Sequence, residues 1–276
     1  MRILFLGGTR YFGKLILRKL VEEQHEVFVV SRKKSEEKNI QSIIGEREDA
    51  STLLSIKKNL PYDIIIDNIA YKPQQIEKLF ETVKGFLLYI LTSTSAVYID
   101  ESFPLNIKSY GLLKIACENF VKESGFPYLI LRLPFVTGPN DFSGRLLYYI
   151  NRIKNGIVIV PENAKTLQQV YSEDIPNIWS EACSRFEIMC NKEFNVTPLP
   201  IEIETYLSII ASFMKKQYKI FKINEISWKI MKSSFPYIYN HVMEKDSFEQ
   251  FFSYKLTPMN EFLYKTVEWY KERIDE

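Results

Sequence analysis

Short apolar runs and amphipathic stretches alternate through the first half of the chain. Residues 3–6 run apolar straight into glycines, the pattern of a parallel strand buried on both faces. Leu15, Ile16, Leu20 and Val21 then recur at helical spacing, with Lys14, Arg18, Lys19 and Glu22 on the opposite side. Further strands are predicted over 26–30, 40–44, 63–67, 86–91 and 128–133. Helices are predicted after Pro73, which suits a first turn, and over 109–123. Strands that alternate with helices form βαβ units, and these close onto a parallel sheet. The fold class read from this order is α/β: a Rossmann, doubly wound parallel sheet followed by a small, mostly helical C-terminal substrate domain. Prolines and turn residues cluster between Pro134 and Pro161, and a final amphipathic helix is expected from about Met259 to Ile274. The division expected is a sheet domain over 1–160 and a second part over 161–276, interleaved with the sheet domain.

Composition narrows the function classes. The 276 residues are 46% hydrophobic and 25% charged, an ordinary globular balance. With 36 basic and 34 acidic residues the net charge is +2, so no strong field selects nucleic acid or a membrane. Cys117, Cys183 and Cys190 form no Cys-x-x-Cys pair and read as buried thiols in a reducing cytosol. His25 and His241 have no neighbouring His or Cys, so no metal site is expected. The apolar run at the N-terminus is too short for a signal peptide, and no stretch approaches the roughly 20 apolar residues of a membrane span. The expectation is a soluble, cytoplasmic protein.

The first strand opens into Gly7-Gly8-Thr9-Arg10-Tyr11-Phe12-Gly13 and then a helix. A first glycine makes a tight turn, a last one lets helix and strand pack closely, and the helix N-terminus offers free N–H groups to a pyrophosphate. Arg10 stands where the middle glycine of the usual fingerprint would be. It either crowds the pyrophosphate or swings out to bind phosphate. The second strand ends in Ser31-Arg32-Lys33-Lys34, with no carboxylate before Glu36. An acidic residue there would favour NAD, whereas Arg32 with Arg10 suits the 2′-phosphate of NADP. NADP is therefore the cofactor expected, with NAD as the alternative.

Tyr110 and Lys114 place a phenol and an ammonium one helical turn apart, and the cation favours the phenolate form needed for proton transfer. Tyr218 and Lys222 have the same spacing without the context. Tyr110 alone follows a strand whose end carries Thr92-Ser93-Thr94-Ser95-Ala96-Val97-Tyr98, a run of hydroxyls at the carboxyl edge of the sheet.

These motifs, in this order, resemble the extended short-chain dehydrogenase/reductases, which include nucleotide-sugar epimerases and dehydratases. The resemblance extends through Leu131-Arg132-Leu133-Pro134-Phe135-Val136-Thr137-Gly138-Pro139, Val170-Tyr171-Ser172-Glu173-Asp174-Ile175, Phe194-Asn195-Val196 and Thr266-Val267-Glu268-Trp269-Tyr270. Gly7-Gly8-Thr9-Arg10 looks like an atypical subgroup that also contains chloroplast stem-loop RNA-binding proteins. The resemblance implies Tyr110 as acid/base, Lys114 on the nicotinamide ribose, and Thr94 on the reacting oxygen, with Ser95 as its competitor. It implies Asn68, Ile69 and Ala70 beside the pyrophosphate, Pro134 and Val136 lining the nicotinamide, and Glu46 and Arg47 near the adenine. The segment between Thr94 and Tyr110 is short for the family, and Ser95-Ala96 replace the Asp-Glu of its dehydratases. Both features favour epimerisation or simple reduction. The partners implied are a small-molecule substrate, such as a nucleotide-sugar, and a second copy of the chain in a homodimer through 109–123.

Three readings stay open at this stage: an enzyme on a nucleotide-linked sugar, an NADPH-dependent reductase of a small carbonyl substrate, and a non-catalytic RNA-binding or NADP-sensing protein. The RNA reading rests on Lys215, Lys216, Lys219, Lys222, Lys229 and Lys232 interleaved with Tyr218, Phe221 and Trp228.

Overall fold

The computed structural model describes residues 1–98, 105–162, 164–224, 227 and 242–274. Its centre is a seven-stranded sheet, every pairing of which is parallel. The first six strands are β1 (Arg2–Leu6), β2 (Glu26–Ser31), β3 (Ile40–Ile44), β4 (Ile64–Asp67), β5 (Leu88–Thr94) and β6 (Tyr128–Leu133). They lie in the order β6-β5-β4-β1-β2-β3, with the strand Lys192–Asn195 outside β6. Helices α1 (Tyr11–Glu22), α2 (Ala50–Lys58), α3 (Pro73–Thr82) and α4 (Leu105–Glu123) connect them. The order reverses between β1 and β4, and that switch point is where open α/β sheets open a crevice at their carboxyl ends.

The strand sequences explain this arrangement. Ile3 to Leu6, Val27 to Val30 and Ile64 to Ile66 are all buried, as strands covered on both faces must be. Phe28, Tyr62, Phe80, Phe86 and Tyr89 join Leu79 and Val121 in the core beneath α2, α3 and α4. α1 packs on helix Ile175–Ser184 instead.

Contacts divide the chain into two units. The first holds Met1–Leu133, Glu173–Val196 and Asp246–Lys255; the second holds Pro134–Ser172, Thr197–Lys245 and Leu256–Glu276. The second unit has its own core of Tyr149, Ile150, Tyr206, Ile210, Phe262 and Val267, drawn largely from helices Arg145–Lys154, Ile203–Met214 and Met259–Ile274. Beside those helices, its described residues form three two-stranded pairings: Phe135–Thr137 with Gln169–Tyr171, Thr166–Leu167 with Ile201–Glu202, and Ile157–Pro161 with Lys219–Ile223. Tyr218 precedes the last of these strands and Lys222 lies within it, so their helical spacing corresponds to no helix. Cys117 and Cys183 are buried and all three cysteines are free thiols. Among the described residues no helix is long and apolar enough to cross a membrane.

Candidate active site

The glycine loop shows why each position is small. Gly7 turns at φ +89, and a Cβ on it would stand 2.6 Å from Ile69. A Cβ on Gly13 would meet the Gly7 carbonyl oxygen at 2.4 Å, so only glycine lets α1 seat against the turn. Arg10 adopts extended backbone (φ −134, ψ 147) as the residue capping α1, so that position does not require glycine. The left-handed step moves to Tyr11, at φ 46, an unusual conformation for a bulky residue. No side chain caps the α1 N-terminus and no acidic residue sits in its first turn, which leaves its N–H groups to an anion. Thr9 and Phe12 are half-buried, and Arg10 is exposed.

At the end of β2, the Ser31 hydroxyl donates to the Lys33 carbonyl at 2.6 Å. Arg32 is exposed and stands 3.9 Å from Glu46, also exposed. Glu46 follows β3, so it comes beside Arg32 only through the pairing of β2 with β3. Arg47 behaves differently from the adenine contact expected of it. Its guanidinium is buried and donates to both Asp67 carboxylate oxygens, at 2.8 and 2.7 Å. Asp67 also accepts from the Tyr89 hydroxyl at 2.8 Å and from the Ile69 amide at 3.0 Å. Burial opposes ionisation of Asp67, but the Arg47 charge and these hydrogen bonds outweigh it and hold the carboxyl below its ordinary range. Burial raises the Tyr89 phenol well above its ordinary value, with the Asp67 charge adding to the effect.

β4 then delivers Asn68, Ile69 and Ala70 to the glycine loop. Asn68 Oδ1 accepts from the Thr92 hydroxyl at 2.5 Å, while its Nδ2 is buried with no hydrogen-bond partner among the described residues. An orphaned buried donor beside Gly7 and Gly13 calls for an acceptor. With the uncapped helix and the crowded glycines, it makes a cradle that fits a dinucleotide pyrophosphate.

β5 and α4 place the reactive groups. The Thr94 hydroxyl accepts from the Ala96 amide at 3.3 Å and so caps the short 3-10 turn Ser95–Val97, against which α4 packs. The Lys114 ammonium is 2% exposed and donates to the Ala70 and Thr92 carbonyls, at 2.9 and 2.7 Å. Burial pushes its pKa down. Those two bonds leave one of the three ammonium donors for a ligand. Tyr110 is half-buried, with its ring 6.3 Å from that of Tyr71. Below them, the Ser93 hydroxyl and Arg132 both bind the buried Glu118 carboxylate, and Arg132 also reaches Tyr98 and Glu193. The Tyr98 hydroxyl in turn donates to Asn195 at 2.7 Å. The network of Ser93, Glu118, Arg132, Tyr98, Glu193 and Asn195 ties β5, β6, α4 and the strand Lys192–Asn195 to one another.

Pro134 follows β6 directly, and Val136 lies in the second unit's strand Phe135–Thr137. Of the lysine-rich segment, Lys215, Lys216, Lys219 and Lys222 are exposed, Lys222 paired with Glu204 at 2.7 Å. Trp228, Lys229 and Lys232 lie outside the described residues.

No family model matches the chain. The chloroplast stem-loop binding protein of 41 kDa b from Arabidopsis thaliana is 24% identical over 193 residues, 61% of this chain and 51% of that protein, so the chain spans about half the length of this curated relative. Among solved structures, UDP-glucose 4-epimerase from Thermotoga maritima, with UDP-glucose, superposes with a TM-score of 0.75 at 17% identity, over 99% of this chain and 100% of that one. dTDP-glucose 4,6-dehydratase from Bacillus anthracis, in complex with NAD, gives 0.77 at 12% identity, over 100% and 98%. A short-chain dehydrogenase/reductase superfamily protein from Agrobacterium tumefaciens with bound NAD gives 0.76 at 16%, over 99% and 98%. The chain has the Rossmann-type α/β fold of these epimerase, dehydratase and short-chain dehydrogenase/reductase structures.

Proposed function

We propose that the protein is an NADP- or NAD-dependent enzyme of the epimerase/dehydratase kind, acting on a hydroxyl or carbonyl of a small substrate such as a nucleotide-linked sugar. The observation that carries this reading is Lys114, a buried ammonium held by two carbonyls one helical turn from Tyr110. An ammonium buried at the carboxyl edge of such a sheet is costly unless it is used. When bound, the nicotinamide supplies hydride transfer. Tyr110 passes the proton to or from the substrate oxygen, Thr94 hydrogen-bonds that oxygen, and the free donor of Lys114 takes a ribose hydroxyl. The pyrophosphate takes the α1 N-terminus and Asn68 Nδ2, with Gly7, Thr9, Tyr11, Phe12, Gly13, Ile69 and Ala70 shaping the cradle. Arg10 and Arg32, both exposed, favour the 2′-phosphate of NADP; Glu46 is the group that would serve NAD instead.

Leu112 and Leu113 are exposed on α4, which supports the homodimer expected through that helix. The name of the curated relative favours a second reading, stem-loop binding, which the exposed Lys215, Lys216 and Lys219 would serve.

Tyr110→Phe separates the two. In the enzyme it lowers turnover on a panel of UDP- and dTDP-sugars by about 100-fold or more and leaves cofactor affinity unchanged. A protein that turns over no substrate but binds stem-loop RNA, with affinity falling steeply as salt rises, would overturn the enzymatic reading.

A further inference from the structure

The buried Arg47–Asp67 pair has no part in the functional reading above, yet it lies directly behind the residues that hold Lys114. Asp67 closes β4, and its Oδ1 accepts from the Ile69 amide two residues on. This bond shapes the turn that ends at Ala70, whose carbonyl takes the Lys114 ammonium. The same turn is tied on its other side by the Thr92 hydroxyl on Asn68, and the Thr92 carbonyl is the second acceptor for Lys114. Arg47 and Tyr89 hold the Asp67 carboxylate from β3's outgoing loop and from β5. We propose that Asp67, held by Arg47 and Tyr89, is the positioning residue that sets Lys114 for its work beside Tyr110. This rests on the reading of Lys114 as the lysine that serves the cofactor.

The charges around Lys114 agree with this role. Cys117, Asp67, Glu118 and Arg47 all act on the ammonium. Burial pushes the Cys117 thiol up to about 11, so it is neutral at pH 7. The Glu118 carboxylate is occupied by Arg132 and Ser93. Asp67 and Glu118 both raise the ammonium's pKa, and of the two it is Asp67 whose hydrogen bond to the Ile69 amide also shapes the turn that carries the Ala70 carbonyl.

The test follows the Lys114 ammonium by NMR in protein carrying ¹³C-enriched lysine, with Lys114→Met to assign the signal and no cofactor present. Asp67→Asn, which keeps the side-chain shape and removes the charge, should move the Lys114 titration down by ~1 pH unit. Tyr89→Phe, which removes a single hydrogen bond from Asp67, should move it the same way by less, and it carries the test should Asp67→Asn fail to fold. Ile56→Ala, a core truncation under α2, should leave it in place. An unmoved Lys114 in Asp67→Asn, or in Tyr89→Phe where Asp67→Asn does not fold, overturns the proposal, as does an equal shift in Ile56→Ala. NADPH fluorescence titration adds a second arm, in which Asp67→Asn should weaken binding by about tenfold. If Lys114 follows Asp67 while the unsubstituted protein binds neither NADPH nor NADH, the positioning role stands and the cofactor reading falls.

Discussion

Arg47 and Asp67 bury opposite charges with side-chain exposures of only 6% and 0%. Such a pair contributes little against a well-packed apolar replacement, but breaking it leaves one charge uncompensated. Asp67→Asn should therefore destabilise the protein by about 3–5 kcal/mol at neutral pH, read from denaturant midpoints. The sign of the pH dependence follows from the lowered carboxyl. In acid the unfolded chain takes up the proton first, so the stability Asp67 provides is complete above its ordinary value of 3.8 and disappears as pH falls through its lowered folded value. The gap between the unsubstituted protein and Asp67→Asn should narrow in that acid range, and a gap that stays constant to pH 2 would contradict this account. The pair was not legible in the sequence. Arg47 reads as an adenine contact and Asp67 as the closing residue of a strand, and the two meet only because the segment between β3 and α2 returns to the end of β4. The placement of Tyr110 and Lys114 one turn apart on a helix, and of Thr94 at a strand end, was legible because each depends on local sequence alone.

At the scale of elements, the strand–glycine–helix unit carries the most information per residue. Gly13→Ala must push α1 away from the Gly7 carbonyl, because backbone rather than a flexible side chain occupies the space. The expected cost is about 1–3 kcal/mol, seen as a lower melting temperature, together with a tenfold or greater loss of dinucleotide affinity. An unchanged affinity would mean that the loop is only a turn. The six predicted strands all appear, five as short, mostly apolar runs bounded by turn signals and β3 with Gln41 and Ser42 inside it and only Ile43 buried. α2 was missed: Ala50–Lys58 buries only Thr52 and Ile56, too weak a stripe to read. The seventh strand, Lys192–Asn195, was visible as a motif but not as a strand, because only Phe194 and Asn195 of its four residues are buried. The pairing of Ile157–Pro161 with Lys219–Ile223 joins segments about 60 residues apart, and no local pattern announces that.

For the whole molecule, the sheet order and the neighbouring structures fix the fold, while the proposal of a homodimer rests on the exposed leucines of α4. Leu112 and Leu113 are 59% and 40% exposed, and light scattering coupled to gel filtration should give twice the 32.6 kDa chain mass. Leu112→Glu with Leu113→Glu should return the monomer; a protein that is monomeric from the start would contradict the homodimer. Dinucleotide binding should also raise the melting temperature by mass action, by more as its concentration rises above the dissociation constant.

The glycine loop, Asn68 and Lys114 are proposed together to hold a nicotinamide dinucleotide, and calorimetry of the purified protein with NADPH and NADH tests this most directly. Titration should show one site per chain, tighter for NADPH, with Arg32→Ala erasing the preference. Tighter binding of NADH would overturn the roles given to Arg10 and Arg32 and leave Glu46 as the residue that reads the ribose. Binding of neither, in protein that carries no cofactor from its source, would contradict the account at its centre.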